Sequence, residues 1–139
     1  MLKILVDTNI LLSGLFFKGN ERKIIEKTLL EKIRLIVPEH VLMETRNVIE
    51  RKSSDFGNKE QAMKVLEAIV NKATIIPIKE YKSLLPKAKQ MIRDKKDAPI
   101  LAAVLATKYD FFLSGDKDFR VLKLKKHISS RELVSRING

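Results

Sequence analysis

Four aspartates stand directly beside apolar runs in a chain that is otherwise strongly basic. They are four of the seven aspartates in the sequence: Asp7, Asp97, Asp116 and Asp118. A carboxylate beside a buried segment loses contact with water, so it needs a hydrogen-bond donor, a cation or a metal to stay ionised. The placement therefore predicts an acidic, cation-binding site at the end of a sheet.

Each of these acids also has an ordinary structural explanation. Asp7 and Asp97 both precede apolar helical sequence and could simply cap a helix. Asp116 and Asp118 lie in Ser114-Gly115-Asp116-Lys117-Asp118-Phe119, which could be a surface turn. Capping is compatible with metal binding, because a carboxylate at a helix start can use its other oxygen for a cation. Two carboxylates this close also repel each other unless Lys117, Arg120 or a bound cation intervenes, so the pair favours a metal without requiring one.

Glu44 is the fifth acidic candidate, and it comes from a predicted helix. At 100° per residue it lies at the edge of the apolar stripe formed by Val41, Leu42, Val48 and Ile49. A solvated helix-edge glutamate is the commoner explanation for such a residue. Its convergence with the aspartates favours a role in the same site.

Short apolar strands alternate with amphipathic helices along the chain, and these elements must position the acids. The strands are predicted at residues 2–6, 34–37, 74–78 and 111–114, with a short fifth at His127–Ile128. The helices are predicted at residues 21–32, 39–52, 59–72, 80–93, 98–108 and 130–137, with a turn-rich patch at 53–58. This alternation predicts an α/β fold with a mostly parallel sheet covered by helices on both faces. In such folds the ligand crevice lies at the carboxyl ends of the strands.

The available ligand types restrict the metal. The sequence has no cysteine, and its two histidines, His40 and His127, are isolated from each other, so we assign them no role. Oxygen-only ligation suits Mg²⁺ or Mn²⁺, as one or two ions. Such ions meet phosphate oxygens directly and promote attack by water on a phosphodiester.

Composition and charge are consistent with a compact protein that binds a polyanion. The 139 residues are 45% hydrophobic and 32% charged, which fits one domain. A net charge of +11 and a pI near 9.9 favour nucleic acid, although a Lys-rich surface could serve solubility alone. No apolar run reaches the ~18 residues needed to span a bilayer, and the start of the chain has no signal-peptide layout. We therefore expect a cytoplasmic protein with no membrane partner.

Basic residues also flank the acids. Four of them could hold the backbone of RNA: Lys95, Lys96, Lys117 and Arg120. Solvated surface charge explains the same residues equally well.

The combination of these motifs resembles the PIN-domain nucleases over essentially the whole chain. The resemblance rests on Val6-Asp7-Thr8-Asn9-Ile10-Leu11, the mid-chain Glu44, Asp97 before an Ala-rich helix, and residues 114–119. It implies a single domain over residues 1–139 with a three-layer α/β/α, Rossmann-like fold and a sheet of four to five strands. It also implies metal-dependent hydrolysis of single-stranded RNA that leaves a 5′-phosphate and a 3′-hydroxyl. Small prokaryotic members are often toxins, each paired with a cognate antitoxin and commonly homodimeric.

Carried over to this chain, the resemblance makes Asp7, Glu44 and Asp97 the acidic core. Asp116, Asp118 or both would supply the remaining carboxylates, and the sequence leaves that choice open. Supporting hydroxyl and amide partners would be Thr8, Asn9 and Ser114, the last standing where the family often has threonine. Asp94 lies one helical turn before Asp97 and could assist, although a solvated helix end also explains it.

Two other functions compete with catalysis. A module that keeps the fold and the basic face but has lost turnover would bind RNA without cutting it. A phospho-acceptor receiver domain also clusters acids at strand ends, but it normally has adjacent acids after the first strand. The sequence Asp7-Thr8-Asn9 lacks that pair.

Overall fold

Five parallel strands form one sheet in the computed structural model, which describes residues 1–56 and 58–138. The strand order is β3-β2-β1-β4-β5, and every neighbouring pair is parallel. The strands are β1 (Lys3–Val6), β2 (Arg34–Pro38), β3 (Thr74–Ile76), β4 (Phe111–Leu113) and β5 (His127–Ile128). All five strand positions predicted from the sequence are confirmed.

The sheet is flanked by helices in a three-layer α/β/α arrangement. They are α1 (Thr8–Phe16), α2 (Asn20–Leu29), α3 (Glu39–Phe56), α4 (Lys59–Lys72), α5 (Leu85–Met91), α6 (Ala98–Ala106), α7 (Lys117–Arg120) and α8 (Ser130–Asn138). Helix α1 packs on α2, α3 and α4, and α2 also packs on α8, whereas α5 and α6 pack together. Within the described ranges, no helix has the length and apolar character needed to cross a bilayer.

The strand order reverses between β1 and β4, and this reversal determines where a crevice forms. Successive strands run outward from β1 to β2 and β3, and the chain then returns to the other side of β1 for β4 and β5. Open parallel sheets bind ligands outside the strand ends at such a switch point. Asp7 directly follows β1, and Ser114 directly follows β4.

The core lies on both sides of this parallel sheet, as continuously apolar strands require. Ile4, Leu5 and Val6 of β1 and Leu113 of β4 are fully buried. Helix α6 is buried along most of its length. The two strands that carry the acids are therefore held from both faces.

The predicted helix at 80–93 is wrong in its extent. Two short 3₁₀ helices, Ile78–Glu80 and Lys82–Leu84, come first, and α5 begins only at Leu85. Pro86 stands in the first turn of α5. Proline suits that position because its ring blocks a longer helix on its N-terminal side.

Helix α3 continues beyond its predicted end at residue 52. Its backbone leaves helical geometry at Lys52, with φ −115° and ψ 19°, and the helix then resumes to Phe56. The predicted turn-rich patch at 53–58 is therefore helical at 53–56, and Gly57 lies outside the described residues. Asn58 caps α4 by accepting a hydrogen bond from the Gln61 amide at 3.0 Å, as its spacing predicts.

Candidate metal centre

The carboxyl ends of β1 and β4 open onto a cleft with a volume of about 820 Å³. Acidic side chains from four different segments line it: Asp7, Glu44, Asp94, Asp97 and Asp116. Four of the five acids predicted for the site are thus brought to one cleft, although more than 100 residues separate the first from the last.

Asp7 is fixed in place by both of its oxygens. One accepts a hydrogen bond from the Ile10 amide at 3.1 Å, which caps α1, and the other accepts one from the Ser114 hydroxyl at 2.5 Å. The residue is only 3% exposed. Burial raises the pKa of Asp7 from its ordinary 3.8 to about 6, against the opposing effect of these two hydrogen bonds. The negative charge of Asp116 raises it further.

Asp97 stands at the N-cap of α6 without capping it. In the part of the chain that the structure describes, its side chain makes no cap hydrogen bond, so the carboxyl group is left to the cleft. Burial raises the pKa of Asp97 from 3.8 to about 7, and the negative charges of Asp116, Asp94 and Asp7 add to the effect. A hydrogen bond that protonated Asp97 can donate to Asp116 also raises the pKa of Asp97. Capping alone therefore does not explain this residue.

Asp116 and Asp118 point to different surroundings. Asp116 lines the cleft and caps α7, with its Oδ1 accepting a hydrogen bond from the Asp118 amide at 2.8 Å. Asp118 is 8% exposed, and its two oxygens accept from Arg93 at 2.9 and 3.3 Å. The geometry thus favours Asp116 as the aspartate available to a cation in the cleft.

A second grouping of acids lies next to this one. One oxygen each of Asp94, Asp97 and Asp118 fall within 4.8 Å of one another, which is close enough to hold a cation. We give this trio less weight than the cleft-facing set, because Arg93 already satisfies both oxygens of Asp118. Asp94 in turn accepts a hydrogen bond from the Lys96 amide at 3.0 Å.

Glu44 reaches the cleft from α3, and Thr8 orients it. The Thr8 hydroxyl donates a hydrogen bond to Glu44 Oε1, which joins the start of α1 to the middle of α3. Asn9 also lines the cleft and is exposed. Of the three predicted supporting residues, Thr8 and Ser114 thus contact an acid directly, whereas Asn9 only faces the same space.

His127 was assigned no role from the sequence, yet it supports the loop after β4. Its Nε2 lies 2.8 Å from the Ser114 carbonyl oxygen, and because a carbonyl only accepts, this nitrogen carries a proton. Its ring lies against Phe112, with 5.4 Å between the ring centroids. No sequence signal marks this contact, since His127 is 13 residues from Ser114 and meets it only when β5 pairs with β4.

The four predicted RNA-binding cations have different positions. Lys96 lines the cleft. Lys95 is turned away, because its ammonium group donates to the carbonyls of Lys89 and Ile92 at the end of α5. Lys117 and Arg120 are exposed on α7 and are not among the residues that line the cleft.

The donor set fits a hard divalent cation. Every acidic ligand offers oxygen, which is what Mg²⁺ and Mn²⁺ prefer. Burial above all, and then the neighbouring carboxylates, raise the pKa values of Asp7 and Asp97, so the ionised form of each is unfavourable in the cleft without a cation. A cation placed among these carboxylates would supply the missing compensation.

Comparison with known proteins agrees with the fold. The model of the PIN domain family matches residues 3–118. A crystal structure of VapBC2 from Rickettsia felis, bound to a DNA fragment from their promoter, is similar at a TM-score of 0.64 and 16% identity, covering 91% of this chain and 98% of that chain. PAE2754 from Pyrobaculum aerophilum is similar at a TM-score of 0.69 and 13% identity, covering 99% and 90%. No curated protein sequence matches the chain.

Proposed function

Because the chain belongs to the PIN-domain family, whose members are nucleases, we propose that it is a divalent-metal-dependent endoribonuclease acting on single-stranded RNA. The observation that carries the proposal is that Asp7, Asp97 and Asp116 all line one cleft at the switch point of the sheet, two of them with strongly raised pKa values. Isolated helix caps would not need to share one cleft. The whole chain, residues 1–139, would form one such domain.

The proposed roles follow from how each side chain is held. Asp7, Asp97 and Asp116 would bind one or two Mg²⁺ or Mn²⁺ ions, with Glu44 completing the acidic set from the opposite wall. When bound, the metal supplies positive charge that activates water and offsets charge on the scissile phosphate. Ser114 and Thr8 keep two of these carboxylates oriented, so little reorganisation is needed when RNA enters. The products would be a 5′-phosphate and a 3′-hydroxyl.

Asp118 would not contact the cation directly but would support the residues around it. Its backbone amide orients Asp116, and its carboxylate engages Arg93. Lys96 is the predicted cation best placed to meet the RNA backbone, because it alone among the four lines the cleft.

The biological setting is also part of the proposal. We infer that the protein is a cytoplasmic toxin that is restrained by a cognate antitoxin and works as a homodimer on single-stranded or structured RNA. The similarity to the Rickettsia felis structure, in which VapBC2 is bound to promoter DNA, supports the proposal of an antitoxin partner. The net charge of +11 supports a nucleic-acid substrate.

A cleavage assay tests the enzymatic part. Purified protein is incubated with single-stranded RNA and, separately, single-stranded DNA, in Mg²⁺, in Mn²⁺ and in chelator. We expect metal-dependent cleavage of RNA by the wild type and a loss of at least 100-fold in Asp97→Asn. Asp110→Asn is the matched control, because Asp110 lies outside the cleft and accepts a hydrogen bond from the Lys3 amide, which asparagine can still do.

The results of this assay distinguish an endoribonuclease from a protein that binds RNA without cutting it. Equal cleavage by wild type and Asp97→Asn would contradict the assigned site. Binding of RNA without cleavage by the wild type in either metal would instead favour a catalytically silent RNA-binding module.

A further inference from the structure

The cleft continues beyond the acids along helix α3. Three residues of that helix line the cleft and are exposed, and we call them the α3 wall: Met43, Asn47 and Arg51. Their spacing of four residues keeps them on one helical face. Arg51 lies seven residues past Glu44, or about 10 Å along the helix axis. The wall is therefore continuous with the acidic site and leads away from it.

The three side chains offer different kinds of contact. Met43 is 49% exposed, which is high for an apolar side chain and leaves its flexible thioether free to pack against a flat ring. Asn47 is exposed and carries both a donor and an acceptor. Arg51 is exposed, and among the described residues it has neither an ion-pair nor a hydrogen-bond partner. The wall thus combines apolar area, an amide and a free guanidinium.

Arg46, on the same helix, provides the contrast. Its guanidinium lies 2.7 Å from Glu67 of α4, and it is not among the residues that line the cleft. The two arginines carry the same charge on one helix, but only Arg51 is free to meet a ligand in the cleft. This difference makes them a matched pair for experiment.

We propose that the α3 wall binds the stretch of RNA adjoining the scissile phosphate and so determines which RNA the proposed nuclease prefers. Met43 would pack on a base, Asn47 would hydrogen-bond to a base edge, and Arg51 would pair with a phosphate. Because Arg51 is about 10 Å along the helix from Glu44, it would meet a phosphate beyond the one that is cleaved. The inference rests on the proposed function, because the acids define where the scissile phosphate lies.

A single-stranded nucleic acid suits these contacts better than a peptide or a small molecule does. Single-stranded RNA exposes base faces and edges that side chains can pack on and hydrogen-bond. Guanidinium groups match phosphate geometry with two parallel hydrogen bonds. The distance between the acids and Arg51 also requires an extended ligand.

The test measures binding with turnover removed. In an Asp97→Asn background, the affinity for a labelled single-stranded RNA of 12 nucleotides is measured by fluorescence anisotropy across a range of salt. Adding Arg51→Gln should weaken binding by about three- to ten-fold and reduce the salt slope by about 0.7, the value for one phosphate on a single strand. Adding Arg46→Gln should change neither the affinity nor the salt slope.

Two further variants test the uncharged contacts of the α3 wall. Met43→Ala should weaken binding without changing the salt slope, and Asn47→Ala should alter the preference among RNAs that differ at one base.

A parallel cleavage assay in the wild-type background tests RNA binding by the α3 wall separately from the proposed nuclease function. Arg51→Gln should raise KM and leave kcat unchanged, as expected for a contact made equally in ground and transition states. Equal effects of Arg51→Gln and Arg46→Gln, with RNA still cut, would overturn the inference and leave the proposed function standing. Absence of both RNA binding and cleavage by the wild type would overturn both. Glutamine is a good helix former, so both arginine variants should fold, which their melting temperatures would verify.

Discussion

Two aspartates separated by a single lysine have different partners in this structure. Asp116 lines the cleft and can accept a hydrogen bond from protonated Asp97, whereas both oxygens of Asp118 accept hydrogen bonds from Arg93. Replacing Asp116 should therefore affect cation binding differently from replacing Asp118. Removing a metal-facing oxygen lowers affinity for the cation, but removing an oxygen that is already paired with a guanidinium does not do so directly.

Isosteric replacement of each aspartate should separate these roles. Asp116→Asn should weaken Mn²⁺ binding by at least 10-fold, whereas Asp118→Asn should weaken it only a few-fold, through the orientation of neighbouring groups. Asparagine is as good an N-cap as aspartate, so α7 should keep its cap in the first variant. Isothermal titration with Mn²⁺ provides the measurement. A larger loss in Asp118→Asn than in Asp116→Asn would instead favour the trio with Asp94.

At this scale the sequence predicts which acids come to one cleft better than it predicts how their side chains are paired. The position of Asp7 after an apolar strand is enough to place it at a strand end. The pairing of Asp118 with Arg93 is not visible, because these residues are 25 positions apart in the chain and meet only after folding. The support that His127 gives to Ser114 is hidden for the same reason.

At the scale of elements, the position of α1 depends on its close approach to α2. A β-carbon added to Gly14 would lie 2.2 Å from Ile25 Cδ1 and 3.0 Å from the carbonyl oxygen of Glu21. Arg22 of α2 strengthens this contact by donating hydrogen bonds to the carbonyls of Gly14 and Leu15. Helix α1 begins directly after Asp7, which caps it, and its first residues line the cleft. The packing of α1 on α2 therefore also fixes one wall of the cleft.

Enlarging Gly14 should therefore destabilise the fold. We expect Gly14→Val to lower the free energy of unfolding by about 2 to 3 kcal/mol, because neither the buried Ile25 nor the backbone of α2 can move aside freely. Urea denaturation followed by circular dichroism gives the value. Gly115→Val serves as the control for stability alone, since a β-carbon there meets nothing within 4 Å. Equal stability of the two variants would contradict the close packing of α1 on α2.

Some helices and strands are predicted more accurately from the sequence than others, and the reason is physical. Buried parallel strands read as continuous apolar runs, and α6 reads as an apolar helix, so both are visible in the sequence. Helix α7 is missing from the predicted set, and α1 is predicted only as apolar helical sequence after Asp7, without bounds. The sequence of α1 is apolar on nearly all sides and contains a glycine, so it lacks the 3.6-residue periodicity that marks an amphipathic helix. Helix α7 has only four residues and offers no period at all.

At the scale of the whole molecule, a basic protein encloses a small acidic centre. The net charge of +11 attracts a polyanion, while the carboxylates in the cleft repel phosphate unless a cation is present. The raised pKa values of Asp7 and Asp97 express the free-energy cost of that centre in the absence of metal. Placing these carboxylates in the cleft thus lowers the stability of the fold, as is common where proteins build active sites.

This cost should appear as a pH dependence of unfolding in chelator. A carboxyl group whose folded-state pKa is raised stabilises the fold fully below its unfolded pKa, near 3.8, and this contribution is lost as the pH rises through the folded values of about 6 and about 7. Asp97→Asn removes one of these titrations, and the neutral amide can still donate to Asp116. At pH 8 without metal, the variant should therefore melt at a higher temperature than the wild type, and the difference should vanish near pH 4.

Addition of Mn²⁺ should reverse the order at pH 8, because the cation binds the native site and stabilises the wild type more than Asp97→Asn. Asp110→Asn, outside the cleft, should follow the wild type under every condition. A wild type that is at least as stable as Asp97→Asn at pH 8 in chelator would contradict the raised pKa of Asp97. A stability order unaffected by Mn²⁺ would instead contradict the metal centre, so the two outcomes test the electrostatics and the ligation separately.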